Sequence, residues 1–342
     1  MLFRSHYDLA KIRGLMLQTQ CRIAIKMRRV TGMMDFINNS ASRNAVGFYV
    51  LFTVLLIFSL SAQAAAGKAI VGLLSTQYST YAGEDRTAKD IEGLLLKLGA
   101  GKVVLIDYNV IMKELGAGSD AISIARRVDK FLLDNEIDRV FIPGNYYNIS
   151  SPPFPPVPYR QLVTDAIVSI MQDRHNIRLL AICGGLQGVL HSQKVKIKRL
   201  DSMLRSSAMV ASHNVSKKHP KEYGKSLLKV NVVPGSKLAK IIASVRGSEE
   251  EGSFRFYVPD MHSEGIDISE HNVKRLLDLG YKVAAYADDG IIEAVEDSRG
   301  NMLLQMHPEF LLIGMEKKVG QHAEVDVSIK VALGIMDDFL SN

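Results

Sequence analysis

An apolar run that ends on a cysteine and two glycines constrains the fold of this chain more than any other stretch. The run covers residues 179–182, and Cys183, Gly184 and Gly185 follow it directly. Small residues let a buried strand turn abruptly into a helix, and such a turn exposes the side chain at its tip. The sequence therefore predicts a strand, a sharp turn that presents Cys183, and a helix that begins at the glycines.

Strands and amphipathic helices alternate before this turn. Strands are predicted at residues 68–74, 102–106 and 139–142, and helices at 87–98, 119–133 and 159–174. In the second helix, Ser119 is the predicted cap and Ile122 belongs to the apolar face. The alternation is typical of a parallel sheet that helices cover on both faces. Residues 150–158 hold five of the ten prolines and predict a loop over the site rather than a linker.

The last third of the chain reads differently. Strands are predicted at residues 282–287, 291–295 and 302–306, and a closing helix at 325–340. Asp289-Gly290 and Arg299-Gly300 are turn signals between these strands, which therefore form an antiparallel meander. The predicted fold class is α/β: a flavodoxin-like, mostly parallel sheet with helices on both faces and a small antiparallel extension near the C-terminal third.

The net positive charge of the chain comes from its first 66 residues. Residues 1–66 contain eight Lys and Arg residues and two acidic ones, so the totals of 42 and 36 leave 34 of each in residues 67–342. A neutral folded part does not favour nucleic acid as a partner. We predict a basic leader at 1–66 and one hydrolase domain at 67–342.

An apolar run at residues 46–60 lies inside this leader. Arg43 precedes it and Ala62-Gln63-Ala64 follows it, which is the pattern of a secretory signal. Cleavage after Ala64 would give an exported, periplasmic or secreted, protein. An uncleaved anchor, with membrane contact through residues 46–60 alone, and an organelle transit peptide are the alternatives. Cys21 is in the leader, so the exported part would keep Cys183 as its single thiol and form no internal disulfide.

A second apolar run ends on His307-Pro308-Glu309. A cysteine, a histidine and an acidic residue at separate strand ends are what thiolate acyl transfer requires, although a buried inert cysteine is the alternative for Cys183. His213 and His219 flank lysines and are predicted to lie in a surface loop. We find no metal-site spacing and no phosphate-binding loop, so no metal and no cofactor are predicted.

Five motifs together resemble a known family. They are Ile142-Pro143-Gly144, Ile182-Cys183-x-Gly185-Leu186-Gln187, Val233-Pro234-Gly235-Ser236-Lys237-Leu238-Ala239, Asp289-Gly290-Ile291-Ile292-Glu293-Ala294 and His307-Pro308-Glu309. In this order and over residues 68–342, they resemble the class I glutamine amidotransferase-like proteins, and within them the gamma-glutamyl-GABA hydrolases.

The resemblance implies a Cys-His-Glu triad. Cys183 would be the nucleophile, His307 the general base and then acid, and Glu309 the group that orients His307. The oxyanion would accept hydrogen bonds from the N–H of Gly184 and from Gly144 or Asn145, each typically worth about 3 kcal/mol of barrier. Relatives often have a second glycine at the position of Asn145, and asparagine tolerates the positive φ that a glycine there would allow.

The resemblance also implies substrate contacts. Gln187, one helical turn after Cys183, would contact the glutamyl group. In the segment His262-Ser263-Glu264, relatives usually have His-His-Gln. A carboxylate at Glu264 is expected to repel an acidic glutamyl tail and to attract a cation.

The function predicted from the sequence is hydrolysis of gamma-glutamyl amides, which are small molecules, through a thioester on the cysteine. A glutaminase subunit of an amidotransferase and a non-catalytic binding or regulatory protein on the same fold are the two alternatives. A homo-oligomer is compatible with each of these three functions.

Overall fold

The computed structural model describes residues 68–79, 83–116, 118–150, 157–214, 227–247, 254–313 and 323–341. The predicted leader, including residues 46–60, lies outside the described residues, and so do residues 151–156 of the predicted proline-rich loop. Within the described ranges, no helix combines the length and apolar character that crossing a membrane requires.

Strands and helices alternate along the described residues. The strands are β1 (Ile70–Ser75), β2 (Lys102–Asp107), β3 (Arg139–Ile142), β4 (Arg178–Ile182), β5 (Ile197–Arg199), β6 (Leu228–Val232), β7 (Arg255–Val258), β8 (Glu264–Ile266), β9 (Tyr281–Ala287), β10 (Ile292–Asp297) and β11 (Met302–Leu304). The helices are α1 (Glu84–Lys97), α2 (Tyr108–Leu115), α3 (Ala121–Asp134), α4 (Pro158–Asp173), α5 (Gly184–Ser192), α6 (Ser207–Ser212), α7 (Lys237–Arg246), α8 (Glu270–Asp278), α9 (Pro308–Ile313) and α10 (Ala323–Ser341).

Nine of these strands form one sheet in the order β2-β1-β3-β4-β11-β10-β9-β6-β7. The first five strands of that order are parallel, in the arrangement of flavodoxin-like folds. From β11 to β7, each strand is antiparallel to the strand that follows it in this order. The predicted fold class is confirmed, and the meander of β9, β10 and β11 is the link between the two halves.

Strand β4 shows why the parallel half is apolar throughout. Alternate residues of a strand point to opposite faces of the sheet. Leu180 and Ile182 belong to the hydrophobic core on one face, and Leu179 and Ala181 to the core on the other. Because helices bury both faces, the strand needs an unbroken apolar run, and this run leads directly into Cys183.

A separate two-stranded sheet lies near the site. Strands β5 and β8 pair antiparallel, with Arg199 opposite Glu264. This pairing brings the segment around Glu264 back toward α5, the helix that follows Cys183.

Two local predictions in the first half are wrong. The cap of α3 is Asp120 rather than Ser119, since a carboxylate oxygen of Asp120 accepts a hydrogen bond from the N–H of Ser123 at 2.7 Å. Ile122 was predicted to face the core but is 68% exposed. Helix α2 was not predicted, because it begins at the residue after β2.

Candidate active site

Cys183 occupies a strained turn between β4 and α5. Its φ is 51° and its ψ is −111°, a conformation that a residue with a side chain rarely adopts. The N–H of Cys183 donates to the carbonyl oxygen of Leu304 in β11 at 2.7 Å, so the turn is tied to the neighbouring strand. The sharp turn predicted from the sequence is confirmed.

The glycines after the cysteine allow a close backbone approach. A Cβ atom at Gly185 would lie 2.2 Å from the carbonyl oxygen of Ile142 at the end of β3. A Cβ atom at Gly184 would lie 2.5 Å from Oδ1 of Asn145. Helix α5 can therefore begin directly under the loop that follows β3 only because these two positions lack a side chain.

Replacing Gly185 by alanine is expected to lower the free energy of unfolding by about 3 kcal/mol, at the upper end of the range for an overpacked core, because backbone must move. Urea denaturation measures the change. Gly93 is the matched control: it is an exposed glycine in α1 with no atom within 4 Å of its added Cβ. Gly93→Ala should raise stability by about 0.5 to 1 kcal/mol. Equal stabilities of the two variants would contradict the close approach at Gly185.

His307 and Glu309 form a buried pair beyond the end of β11. Nδ1 of His307 lies 2.7 Å from Oε1 of Glu309, and both residues are buried. The ring of Phe310 stacks on the imidazole with centroids 4.6 Å apart. Nε2 of His307 has no hydrogen-bond partner among the described residues. The pair therefore orients the ring and leaves one nitrogen available for chemistry.

The surroundings of His307 favour its protonated form. Burial lowers the pKa of the imidazole, but the charge of Glu309 and then the nearby Cys183 raise it, and the net pKa lies well above the ordinary value. An imidazolium next to a sulfur stabilises the thiolate, which is the nucleophilic form of cysteine.

One cleft of about 220 Å³ contains all the residues predicted for the site. Cys183, His307, Glu309, Gly184, Gly144, Asn145, Gln187, His262, Ser263 and Glu264 all line it. Sγ of Cys183 lies 3.8 Å from the carbonyl oxygen of Met261. A Cβ atom at Gly144 would lie 3.0 Å from Cε1 of His307 and 3.4 Å from Cβ of Cys183. The loop after β3 thus closes over the cysteine and the histidine.

Asn145 fits this loop in a way that differs from the sequence prediction. Its φ is not positive, so it does not imitate a glycine. Its Oδ1 instead accepts a hydrogen bond from the N–H of Tyr147 at 3.1 Å, which is the local turn that asparagine side chains favour.

Arg160 was not identified from the sequence. Its buried guanidinium donates from Nη2 to the carbonyl oxygen of Pro143 at 2.6 Å, and Nη1 lies 3.8 Å from Oε1 of Glu84. Burial lowers the pKa of Arg160, and Glu84 opposes that shift. Arg160 thereby fixes the residue just before Gly144. The signal in the sequence was an arginine among the apolar positions of α4.

Two of the side chains predicted to contact the substrate form hydrogen bonds within the protein. Nε2 of Gln187 donates to the carbonyl oxygen of Glu264 at 2.7 Å and to Oε1 of Gln305 at 3.2 Å. The buried carboxylate of Glu264 accepts from the N–H of Ile149 at 2.6 Å, and from both the N–H and the hydroxyl of Ser150. The sequence predicts that this carboxylate repels an acidic glutamyl tail and attracts a cation; the structure shows that three donors of the protein bind its oxygens.

Ser263 and His262 differ from each other in exposure. The exposed Ser263 donates from Oγ to Oδ1 of Asn148 at 3.0 Å. His262 is buried, and its Nε2 lies 3.1 Å from Oδ2 of Asp260. Because the side chain of Ser263 is exposed and that of His262 is buried, the hydroxyl of Ser263 is the more accessible group to a ligand in the cleft.

The prediction for His213 is wrong. It was assigned to a surface loop without carboxylates, but its side chain is completely buried between Asp260 and Asp289. His219, the other histidine of that prediction, lies outside the described residues. The motif from Asp289 to Glu293 supplies two of the carboxylates near His213, but the local sequence does not show which histidine contacts them.

The sheet order and the strained cysteine beside a buried imidazole and carboxylate define the class as glutamine amidotransferase-like cysteine hydrolases. The chain belongs to the Peptidase C26 family, because the sequence model of that family matches residues 107–309, more than half of the chain. The resemblance to class I glutamine amidotransferase-like proteins is confirmed. Among curated proteins, none matches the chain.

Solved structures of related architecture are distant. SMU.1228c is 11% identical with a TM-score of 0.44, covering 79% of this chain and 99% of its own. A glutamine amidotransferase from Methylobacillus flagellatus is 10% identical with a TM-score of 0.41, covering 80% of this chain and 92% of its own. Such low scores do not define a fold, which here rests on the strand order.

Proposed function

We propose that the chain hydrolyses gamma-glutamyl amides through a thioester on Cys183. The observation that carries the proposal is the buried pair of His307 and Glu309, 2.7 Å apart, whose free ring nitrogen belongs to the same cleft as the strained cysteine. Nucleophile, base and orienting carboxylate from separate strand ends are the elements of acyl transfer by a cysteine.

In the first half-reaction, the thiolate of Cys183 attacks the gamma carbonyl carbon and a C–S bond forms. The carbonyl oxygen becomes an oxyanion. When this intermediate collapses, the C–N bond breaks, and His307 donates its proton to the leaving amine. In the second half-reaction, water attacks the thioester carbonyl carbon while His307 takes one of its protons. The C–S bond then breaks, which releases glutamate and restores the thiolate beside the protonated His307.

Backbone amides next to the cysteine are suited to the oxyanion. Gly184 is the first residue of α5, so its N–H is not used within the helix. Gly144 or Asn145 would supply the second donor from the opposite loop. Arg160 supports this loop through the carbonyl oxygen of Pro143. Donors fixed before the reaction stabilise the developing charge without a reorganisation cost.

The cleft favours a small polar acyl group. Its described lining contains no Lys or Arg, so the carboxylate of a glutamyl group would be bound by neutral donors such as Asn148 and Ser263. Three neutral donors bind the carboxylate of Glu264 within the protein, which weakens the charge repulsion that the sequence suggested. We therefore retain the gamma-glutamyl assignment.

A panel of gamma-glutamyl amines, gamma-glutamyl peptides and glutamine tests the proposal, with released glutamate as the readout. We expect at least one gamma-glutamyl amine or peptide to be cleaved faster than glutamine, because no ammonia-accepting partner is needed. Faster turnover of glutamine would favour the glutaminase subunit.

A glutamine-like electrophile tests the nucleophile independently of the leaving group. Intact mass should show one adduct, and peptide mapping should assign it to Cys183. The Cys21→Ala variant is the control and should be labelled like the natural chain, since Cys21 is the other cysteine of the sequence. No turnover together with no adduct at Cys183 would overturn the proposal and favour a binding protein.

A further inference from the structure

Four buried side chains meet beside the active-site cleft. His213 follows α6, Asp260 and His262 follow β7, and Glu293 is in β10. Each is at most 4% exposed, and one ligand atom from each lies within 4.8 Å of the others. Buried ionisable groups need a compensating partner, because burying an unpaired charge is costly.

The ring of His213 faces carboxylates with both nitrogens. Nε2 lies 2.9 Å from Oδ2 of Asp289. Nδ1 lies 2.8 Å from Oδ2 of Asp260 and 3.4 Å from Oε1 of Glu293. A neutral imidazole has one N–H only. If Nε2 donates to Asp289, the lone pair of Nδ1 faces two negative charges, and a cation or a second proton must lie between them.

His262 presents the same problem more directly. Its Nδ1 lies 2.7 Å from the carbonyl oxygen of Glu264, which can only accept, so Nδ1 carries the hydrogen. Nε2 then has the lone pair. It lies 3.1 Å from Oδ2 of Asp260 and 3.7 Å from Oε1 of Glu293.

Several polar atoms of this cluster lack a hydrogen bond. Both carboxylate oxygens of Glu293, Oδ1 of Asp260 and Nε2 of His262 have no hydrogen-bond partner among the described residues. Buried polar atoms in native proteins are nearly always satisfied. Glu293 is completely buried and its Oε1 lies 3.4 Å and 3.7 Å from nitrogens of two imidazoles, so it points to a missing positive ligand.

We propose that Nδ1 of His213, Nε2 of His262, Oδ2 of Asp260 and Oε1 of Glu293 bind a divalent transition-metal ion of the zinc type. Bonds of about 2.0 to 2.1 Å in a tetrahedron place ligand atoms about 3.3 Å apart. The four nitrogen-to-oxygen separations run from 2.8 to 3.7 Å, on both sides of that value. Two imidazoles and two carboxylates also match the ligand preference of zinc.

The second ring nitrogens support this assignment. Metal-bound histidines usually donate their other N–H to a carboxylate or a carbonyl oxygen. Asp289 serves His213 in this way, and the carbonyl oxygen of Glu264 serves His262. Four protein ligands leave no open position, so the ion would be structural.

Additional protons on the rings of His213 and His262 could compensate the carboxylates in place of a metal ion. Burial lowers the pKa of His213, but the nearby carboxylates of Asp260 and Glu293 raise it to about 10, and the pKa of His262 is likewise well above its ordinary value. Without a metal, both rings would carry two protons at neutral pH. This second state is the alternative that the experiment must exclude.

The ion would fix one wall of the cleft. Met261 lies between two of the ligands, and its carbonyl oxygen is 3.8 Å from Sγ of Cys183. The site does not depend on the proposed reaction, because none of its four ligands belongs to the proposed triad.

Zinc binding by the purified full chain tests the proposal. After treatment with a chelator, equilibrium dialysis against Zn²⁺ with metal analysis should give one ion per chain. Glu293→Gln should weaken binding by more than about 100-fold, and Asp289→Asn, which removes an outer partner, by about 10- to 100-fold. Cys183→Ala should still bind one ion, which excludes capture by the catalytic thiol.

Glu296→Gln is the matched control, because Glu296 is also in β10 but accepts from the N–H of Lys237 instead. It should bind zinc like the natural chain. No bound zinc, or equal binding by Glu293→Gln, would overturn the proposal. If the variants fail to fold, imidazole ¹⁵N NMR of the unaltered chain decides: rings that stay doubly protonated in the presence of Zn²⁺ would overturn it, and metal-bound rings would support it.

Discussion

Cys183→Ala is expected to lower kcat/KM for the cleaved gamma-glutamyl substrate by about 10⁴- to 10⁶-fold, the usual loss when a covalent nucleophile is removed. The physical reason is that no other group in the described cleft can form the acyl intermediate at that position. Initial rates of glutamate release measure the change.

The thermal midpoint separates this loss from unfolding. Alanine at φ 51° has the same backbone strain as cysteine, so the midpoint should stay within a few degrees. Cys21→Ala should retain the full rate. A Cys183→Ala protein that hydrolyses its substrate at more than about a hundredth of the natural rate would refute the thioester route.

His307→Gln should lower kcat/KM by a similar factor, about 10⁴ to 10⁶. Glutamine removes the group that stabilises the thiolate and that protonates the leaving amine. His271→Gln is the matched control on the exposed side of α8 and should leave the rate unchanged. A normal rate in His307→Gln would contradict its role as base and acid.

Glu309→Gln separates orientation from proton transfer. The loss should not exceed about 10⁴-fold, the cost of removing the carboxylate behind a catalytic histidine. Because the charge of Glu309 raises the pKa of His307, its removal should lower that pKa. The imidazolium then loses its proton at lower pH, and the alkaline limb of kcat/KM should move to lower pH. An unmoved alkaline limb would show that Glu309 has only a packing role.

The parallel half of the fold could be predicted because its signal is local. Strands buried on both faces must be apolar throughout, and the apolar runs of β4 and β11 stop at Cys183, which two glycines follow, and near His307. Helix α2 was missed because Asp107, the last residue of β2, also caps it by accepting from the N–H of Asn109 and Val110. No loop separates the two elements, so the apolar pattern reads as continuous.

That the residues of the proposed triad line one cleft could be predicted for the same reason, but the polar packing around them could not. Glu264 looked like an exposed substrate contact because its three donors come from residues 149 and 150, far away in the sequence. His213 looked like a loop residue because its neighbours are polar. Its partners Asp260 and Glu293 approach only when β7 and β10 join the sheet. Contacts between side chains so far apart in the sequence produce no periodic pattern from which they could be predicted.

The position of β11 also affects how the protein is made. This strand is translated after all the other described strands, yet it enters the middle of the sheet between β4 and β10. While the ribosome is still producing residues after β10, the edge of β4 remains open, and an open apolar edge favours aggregation. Until β11 has been made, the nascent chain is therefore exposed to aggregation, and Cys183 has no imidazole beside it, because His307 follows β11 in the sequence.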